Sequence, residues 1–164
     1  MTTFIQATKE DIPLLHRLGD RIFRQTYRTM LSQEQIEYMI DWMYSEENLE
    51  KQMDNNNVFY IVKYDGEACG YIGIENEADG HFHLQRLYLD EAYRGKGIGR
   101  DMMEKIFDHA RKASPSGARL ELNVNRDNKT VEFYKKMGWR IIKSGDFDIG
   151  NGFLMTDHIM AIDV

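Results

Sequence analysis

The sequence predicts a mixed α/β domain of the α+β type, in one unit spanning residues 1–164. Apolar residues at helical spacing alternate along the chain with short apolar runs of strand length. Asp65-Gly66, between two such runs, is a strong hairpin signature and indicates antiparallel pairing. Repeats, low-complexity tracts and linkers are absent from the sequence, which favours a single domain.

The first half of the chain is predicted to contain one strand, three helices and then three strands. Phe4–Ala7 is the first strand, and Thr8 to Asp11 resembles a capping box that starts a helix, with Pro13 accommodated in its first turn. The predicted helices cover residues 12–26, 32–43 and 46–53, and the predicted strands cover residues 58–63, 68–75 and 81–89.

The second half is predicted to continue with alternating helices and strands. Helices are expected over residues 99–112 and 129–137, and strands over residues 119–124, 139–143 and 153–162. Gly150-Asn151-Gly152 is a turn signal before the last strand.

Charge and composition exclude several classes of protein. The formal net charge of −6 argues against general nucleic-acid binding, which depends on basic surface, and is compatible with a cationic substrate. No apolar run approaches the roughly 20 residues that span a bilayer, so we expect no membrane association. The N-terminus does not resemble a signal peptide, and Cys69 is the one cysteine, so a reducing, cytoplasmic location is expected.

The most informative stretch is a glycine-rich turn between a predicted strand and a predicted helix. Residues 93–100 read Tyr-Arg-Gly-Lys-Gly-Ile-Gly-Arg. Glycines allow a ligand to approach the main chain, and a helix N-terminus presents unpaired N–H groups that suit phosphate. The turn follows the fourth predicted strand rather than the first strand of a βαβ unit, which argues against a dinucleotide fold. Gly99 is followed by Arg100-Asp101, which does not fit a Walker loop. The pattern therefore indicates a pyrophosphate site.

Two motifs give a resemblance to a known family. Residues 87–99 resemble motif A of the GNAT N-acetyltransferase superfamily, whose Arg/Gln-x-x-Gly-x-Gly/Ala core is matched by Arg94, Gly97 and Gly99. Downstream, residues 124–139 resemble motif B, with Val131 in place of the common Ala and Trp139 in place of the common Phe. The resemblance implies a mostly antiparallel sheet with helices on both faces and a splay between strands 4 and 5.

A finer resemblance is to bacterial polyamine acetyltransferases of the spermidine/spermine type, the PaiA-like branch. It is carried by Thr156-Asp157-His158-Ile159-Met160 together with the Phe133–Gly138 segment, and His158 departs from the tyrosine of that branch. It implies an acetyl-CoA-dependent enzyme that acetylates a primary amine of a small molecule, with polyamines favoured.

The resemblance also implies roles for individual residues. The main chain around Leu87, Tyr88 and Leu89 would bind the pantetheine arm, and Tyr134 would protonate the departing thiolate. The remaining cofactor-binding residues implied are Arg94, Gly95, Lys96, Gly97, Ile98, Gly99, Arg100, Asn128 and Lys136, while no metal is implied. Asn128 is also suited to be a helix N-cap, Tyr134 to pack beside Phe133, and Lys136 to be a solvated surface charge.

The resemblance leaves alternatives for the general base and for the acceptor pocket. Many family members carry Glu on strand 4 where this chain has Gln85, so His83, Glu75 or a relayed water are the alternatives. The implied acceptor pocket comprises residues 27–31, 42–44 and 147–153, with Glu46, Glu47, Asp146 and Asp148 nearby, although Trp42 and Met43 also suit the core face of a helix. Asp157 and His158 suit either a site or an edge strand, and Cys69 is expected to be a packing residue.

Other functions and assemblies stay open at this point. A protein or peptide N-acetyltransferase and a non-catalytic CoA-binding module are the alternative functions. Homodimers are common in the family, so the resemblance allows a homodimer.

Overall fold

The computed structural model describes residues 1–164, which form seven strands and five helices. The strands are β1 (Thr2–Gln6), β2 (Asn57–Tyr64), β3 (Glu67–Asn76), β4 (His81–Leu89), β5 (Arg119–Asn125), β6 (Arg140–Gly150) and β7 (Phe153–Asp163). The helices are α1 (Ile12–Tyr27), α2 (Gln33–Tyr44), α3 (Glu46–Asp54), α4 (Ile98–Ala113) and α5 (Thr130–Lys136). Short 3₁₀ turns cover Lys9–Asp11 and Glu91–Tyr93.

The strands form one sheet in the order β1-β2-β3-β4-β5-β7-β6. Every neighbouring pair is antiparallel except β4 and β5, which are parallel. The predicted mixed, mostly antiparallel sheet is confirmed. The parallel pair is connected through α4, as a parallel crossover requires.

Helices cover both faces of the sheet, and the alternation of residues in β2 shows how. Phe59 and Ile61 pack in a core beneath α1, α2 and α3, whereas Tyr60 and Val62 pack in a second core with α4 and α5. Both faces of a central strand are therefore buried, which explains why β2 reads as a continuous apolar run. The prediction of helices on both faces is confirmed.

Side chains fix the starts of the first helices. The Thr8 amide donates to Asp11 at 2.8 Å, which completes the predicted capping box. Ser32 and Ser45 accept from the backbone N–H groups of Gln35 and Asn48, and so cap α2 and α3. None of the helices is both long and apolar enough to cross a membrane.

The sequence prediction was wrong about the length of β6 and about the position of β7 in the sheet. The strand expected over residues 139–143 continues to Gly150, because residues 144–150 pair with β7 although they are mostly polar and exposed. The edge of the sheet is therefore β6. Strand β7 lies between β5 and β6, so the interpretation of Asp157 and His158 as edge-strand positions is wrong.

Candidate functional site

The glycine-rich turn leaves β4 and enters α4 with two glycines in the left-handed region. Gly95 has φ 82° and Gly97 has φ 81°, which L side chains adopt only with strain. A methyl group added at either position would meet nothing within 4 Å. The backbone conformation, rather than crowding by the protein, therefore requires glycine here, and the space above the turn is open.

The turn also carries free hydrogen-bond donors. The backbone N–H groups of residues 95–100 donate to no group of the protein, and the first bond that α4 forms is Asp101 N–H to the Gly97 carbonyl at 3.2 Å. These donors point from a helix N-terminus, where the helix dipole favours negative charge. The arrangement suits an anionic ligand held by the main chain.

One acidic side chain anchors the glycine-rich turn, and three basic side chains lie around it. Asp90 anchors its start, since it accepts from the Ala92 amide at 3.0 Å and pairs with Arg21 at 2.9 Å. Arg94 and Arg100 are exposed. The Lys96 ammonium is exposed and lies 5.8 Å from the centre of the Tyr64 ring, on the β2 side of the turn.

Strands β4 and β5 separate beside this turn. Their parallel pairing begins at His81 opposite Arg119 and ends at Leu84 opposite Leu122. Residues 86–89 remain paired with β3 only, so their other edge has free backbone groups. This is the predicted splay between strands 4 and 5.

The residues predicted around this free edge divide between the two faces of the sheet. The side chains of Leu87 and Leu89 pack in the core beneath α4. The Tyr88 side chain lies on the opposite face, with its hydroxyl 3.2 Å from that of Tyr27. The side chains of residues 87–89 therefore pack on the two faces of the sheet, and their main chain lies between those faces at the free edge. This position is compatible with the predicted binding of the pantetheine arm by the main chain.

Helix α5 brings the second motif to the splay. Asn128 Oδ1 accepts from the Thr130 amide at 3.0 Å and from its hydroxyl at 2.8 Å, so Asn128 satisfies the first turn of this helix from the position before the N-cap residue, Lys129. The Phe133 ring would lie 3.6 Å from a methyl group added at Gly99, which places α5 against the first turn of α4. Lys136 is exposed on α5.

Tyr134 is buried on the inner face of α5, with its ring centre 5.9 Å from those of both Phe133 and Trp139. Burial raises the pKa of its phenol above the usual range, as does the neighbouring Tyr88, while Thr130 acts in the opposite direction. The phenol therefore keeps its proton through the physiological pH range and is available as a proton donor. It also packs in the core, so both roles considered for it are compatible with its position.

A cavity of about 430 Å³ opens on the other face of the splay. It lies among α1, α2, the separated part of β4, the end of β5, and β7. The residues lining it are Phe23, Tyr27, Met39, Trp42, Met43, Gln52, Asn57, Glu75, His83, Leu84, Gln85, Arg86, Tyr88, Asn123, Asn125, Ile149, Met155 and Asp157. Its size and its mixture of aromatic and polar walls are typical of a small-molecule site.

The predicted acceptor segments contribute to this cavity only in part. Tyr27, Trp42, Met43 and Ile149 line it. The acidic residues predicted nearby, Glu46, Glu47, Asp146 and Asp148, do not line it. Trp42 is 49% exposed, so its assignment to the core face of α2 is wrong.

Asp157 is a buried carboxyl group in the cavity wall. It is 5% exposed, and its Oδ1 atom has no hydrogen-bond partner. Burial raises its pKa to about 6, while Asn123 and Arg126 act in the opposite direction. A carboxylate that is half protonated near pH 6 can exchange a proton with a ligand under physiological conditions.

His83 and Glu75 face each other across β3 and β4 and also line the cavity. Burial lowers the pKa of His83, and Glu77, Glu75 and Glu121 oppose that shift. The imidazole is therefore mainly neutral at pH 7 and can accept a proton. The structure thus brings both predicted base candidates to the same cavity as Asp157.

Sequence reasoning missed several cavity residues, and Arg86 is the charged one among them. Arg86 is a charged side chain that is only 6% exposed. The signal for it was a polar Gln85-Arg86 pair inside the otherwise apolar run of residues 84–89. Cys69, by contrast, is buried in the core under α4, as expected for a packing residue.

Comparison with known proteins identifies the family. Residues 27–161 match the family model described as the acetyltransferase (GNAT) domain. The fold superposes on the crystal structure of PaiA N-acetyltransferase from Thermoplasma acidophilum in complex with coenzyme A, with a TM-score of 0.79, 26% identity and 98% of each chain covered.

Two curated relatives are similar over part of the chain. The spermine/spermidine N(1)-acetyltransferase of Bacillus subtilis is 26% identical over 104 residues, which are 58% of this chain and 66% of that protein. A peptidyl-lysine N-acetyltransferase of Salmonella typhimurium is 37% identical over 83 residues, which are 50% of this chain and 49% of that protein. The family match covers most of the chain and both motifs, and the chain therefore belongs to the GNAT family of N-acetyltransferases.

Proposed function

We propose that this protein transfers an acetyl group from acetyl-CoA directly to a primary amine of a small molecule. The observation that carries the proposal is the free edge of β4 after Leu84, which lies between a donor-rich helix N-terminus and a separate polar cavity. A donor bound on one side of the splay and an acceptor bound on the other would meet in the gap.

The residues at the turn fit coenzyme A. The free amides of residues 95–100 are suited to the pyrophosphate, and the open space above Gly95 and Gly97 leaves room for it. The free edge of residues 86–89 is suited to the amide groups of the pantetheine arm, as in the addition of a strand. The similar Thermoplasma protein was crystallised with coenzyme A, which supports this assignment.

The cavity favours a small acceptor. A volume of about 430 Å³ accommodates an acceptor of metabolite size. The carboxyl groups of Glu75 and Asp157 in its wall suit an ammonium group. The Bacillus relative that acts on spermine and spermidine supports the polyamine prediction, and the Salmonella relative supports the peptide alternative over a shorter stretch.

The proposed reaction moves three protons. The ammonium group first gives one proton to Asp157, with His83 as the competing candidate, and becomes a neutral amine. The amine nitrogen then bonds to the thioester carbonyl carbon and loses its second proton to solvent. The carbon–sulfur bond breaks as the Tyr134 hydroxyl gives a proton to the leaving sulfur, and Tyr134 regains a proton from solvent. Retention of a buried, protonated phenol at α5 favours an enzyme over a CoA-binding module that carries out no chemistry.

The test separates binding from turnover. Coenzyme A should raise the melting temperature in a concentration-dependent way, because it binds the folded state. Acetyl-CoA with a panel of amines, amino acids and lysine peptides should release free thiol with at least one small amine. The absence of a melting shift would contradict the cofactor assignment, whereas a shift without thiol release from any acceptor would favour the binding module.

A further inference from the structure

Arg86 enters the cavity because β4 contains a bulge. Gly73 of β3 pairs with Arg86 and Ile74 pairs with Leu84, so Gln85 is the extra residue. The bulge reverses the alternation of the strand. Leu84 and Leu87 both pack beneath α4, whereas Arg86 points to the other face among the residues of α2 and β2.

The guanidinium group is buried without a counter-charge. Arg86 forms no ion pair, and its Nε has no hydrogen-bond partner. Its one hydrogen bond is a long contact of 3.5 Å from Nη2 to the Met43 carbonyl. A buried cation in this state is unfavourable unless something supplies negative charge.

The neighbouring phenols do not supply that charge. Burial raises the pKa of Tyr44, Tyr71 and Tyr88, so all three stay neutral at physiological pH. The Tyr44 and Phe59 ring centres lie 5.2 and 5.5 Å from the guanidinium carbon. These rings pack against the guanidinium group, and its N–H groups remain able to bind an anion.

We infer that Arg86 binds an anionic group of the acceptor, so that the acceptor is an amine that also carries a carboxylate or a phosphate. The inference rests on the proposed function and names the substrate class of the same cavity. Arginine is suited to this role because its planar fork can form two parallel bonds to either anion. Glu75 and Asp157 in the same wall would receive the ammonium end.

The first test uses the unmodified enzyme and matched acceptor pairs. Each pair differs only in the anionic group: putrescine and ornithine, tyramine and tyrosine, ethanolamine and phosphoethanolamine. We expect kcat/KM to be on the order of 100-fold higher for the anionic member of at least one pair, because loss of a partner leaves the buried cation unsatisfied. The three pairs distinguish carboxylate from phosphate. Equal or higher kcat/KM for the member without the carboxylate or phosphate in every pair, polyamines included, would overturn the inference.

The second test removes the cation. Arg86→Met should abolish the preference within the favoured pair by lowering kcat/KM for the anionic member alone, and Arg86→Lys should retain part of it. Arg140→Met, an exposed cation paired with Asp163 outside the cavity, is the matched control and should leave the preference unchanged. Arg86 could instead stabilise charge that develops on the thioester oxygen. In that case Arg86→Met lowers kcat/KM for both members of the pair equally, which overturns the inference.

Two readouts keep a failure of this inference separate from a failure of the proposed function. Coenzyme A should raise the melting temperature of Arg86→Met as much as that of the unmodified enzyme, which shows that the variant is folded and binds the donor. Turnover of amines that lack an anionic group, with no preference for the anionic member of any pair, would overturn the role of Arg86 alone. Should Arg86→Met fail to fold, the acceptor pairs and Arg86→Lys still decide the question.

Discussion

Asp157 of β7 lies directly opposite Asn125 of β5, three residues beyond Leu122, where the pairing of β5 with β4 has ended. Both side chains are buried and line the cavity. The insertion of β7 next to β5 thus places a carboxyl group at the point where the two central strands have separated. A group at this point can reach an acceptor in the cavity and the gap in which the acetyl group would be transferred.

Asp157→Asn should remove a proton acceptor. In the unmodified enzyme kcat/KM should rise with pH through about 6, because the protonated carboxyl cannot accept a proton below its pKa. Asp157→Asn should lower kcat/KM on the order of 100-fold at pH 7.5 and abolish that rise. Asp163→Asn, on the same strand but exposed, is the control and should keep the normal profile. A normal profile in Asp157→Asn and a lost one in His83→Gln would assign the base to His83.

The same carboxyl group should make stability depend on pH. Its pKa is higher in the folded protein than the value near 3.9 of an unfolded chain, so the folded state binds more protons between about pH 4 and pH 6. Stability from this group is therefore present at low pH and lost as pH rises through about 6. Urea unfolding at pH 4.5 and pH 7.5 should show Asp157→Asn gaining stability relative to the unmodified protein at the higher pH. If the two proteins differed in stability by the same amount at both pH values, that result would contradict a raised pKa for Asp157.

Tyr134→Phe should slow the chemical step and leave the fold intact. The change keeps the ring that packs on Phe133 and Trp139 and removes the hydroxyl. Loss of a general acid should lower kcat on the order of 100-fold with little change in the KM for acetyl-CoA. Tyr64→Phe, at a half-buried phenol of β2, should have no such effect. If Tyr88→Phe lowers kcat and Tyr134→Phe does not, the acid is the cavity phenol Tyr88.

The sequence predicted the glycine-rich turn better than the cavity, for a physical reason. A phosphate-binding turn depends on local backbone geometry, and local geometry is written in consecutive residues such as Gly95 and Gly97. Asp157 and Arg86 become cavity residues through non-local events. The first depends on which strand β7 pairs with, and the second on one bulged residue at Gln85 that reverses the alternation of β4. Neither event leaves a periodic signal in the sequence.

The length of β6 shows the same limit. Residues 144–150 contain glycines and aspartates and alternate between exposed and half-buried positions, so by composition they resemble a loop. They are a strand because β7 offers backbone partners along their length, interrupted only by an irregularity between Asp148 and Gly150. Pairing, rather than the propensity of the residues, decides their structure.

Gly97→Ala should weaken donor binding more than it weakens the fold. Alanine at φ 81° costs about 1–2 kcal/mol of stability, and the added methyl group meets no protein atom. It would project from the turn whose free amides are proposed to hold the pyrophosphate, so the Kd for coenzyme A should rise about tenfold or more. Gly66→Ala is a matched control, since Gly66 has φ 87°, open space around it, and a place in the β2–β3 hairpin. It should lose similar stability and bind coenzyme A normally; equal affinity in the two variants would contradict the assignment of the turn.

Gly19→Ala should destabilise the protein, against the usual effect of alanine in a helix. A methyl group at Gly19 of α1 would lie 2.3 Å from the ring of Tyr44, which is 1% exposed and bonded through its hydroxyl to Tyr71 at 2.8 Å. The ring cannot retreat without breaking that bond and shifting α2, so we expect a loss of about 1–3 kcal/mol in urea unfolding. Gly99→Ala provides the comparison, because its methyl group would lie at an ordinary 3.6 Å from Phe133. That variant should be neutral or gain up to about 1 kcal/mol from helix propensity.

Since Tyr44 also packs against the Arg86 guanidinium, Gly19→Ala should in addition disturb the acceptor cavity. Its KM for the amine should rise while its affinity for coenzyme A stays normal, and an unchanged KM would show that the α1–α2 contact supports the fold without setting the geometry of the cavity.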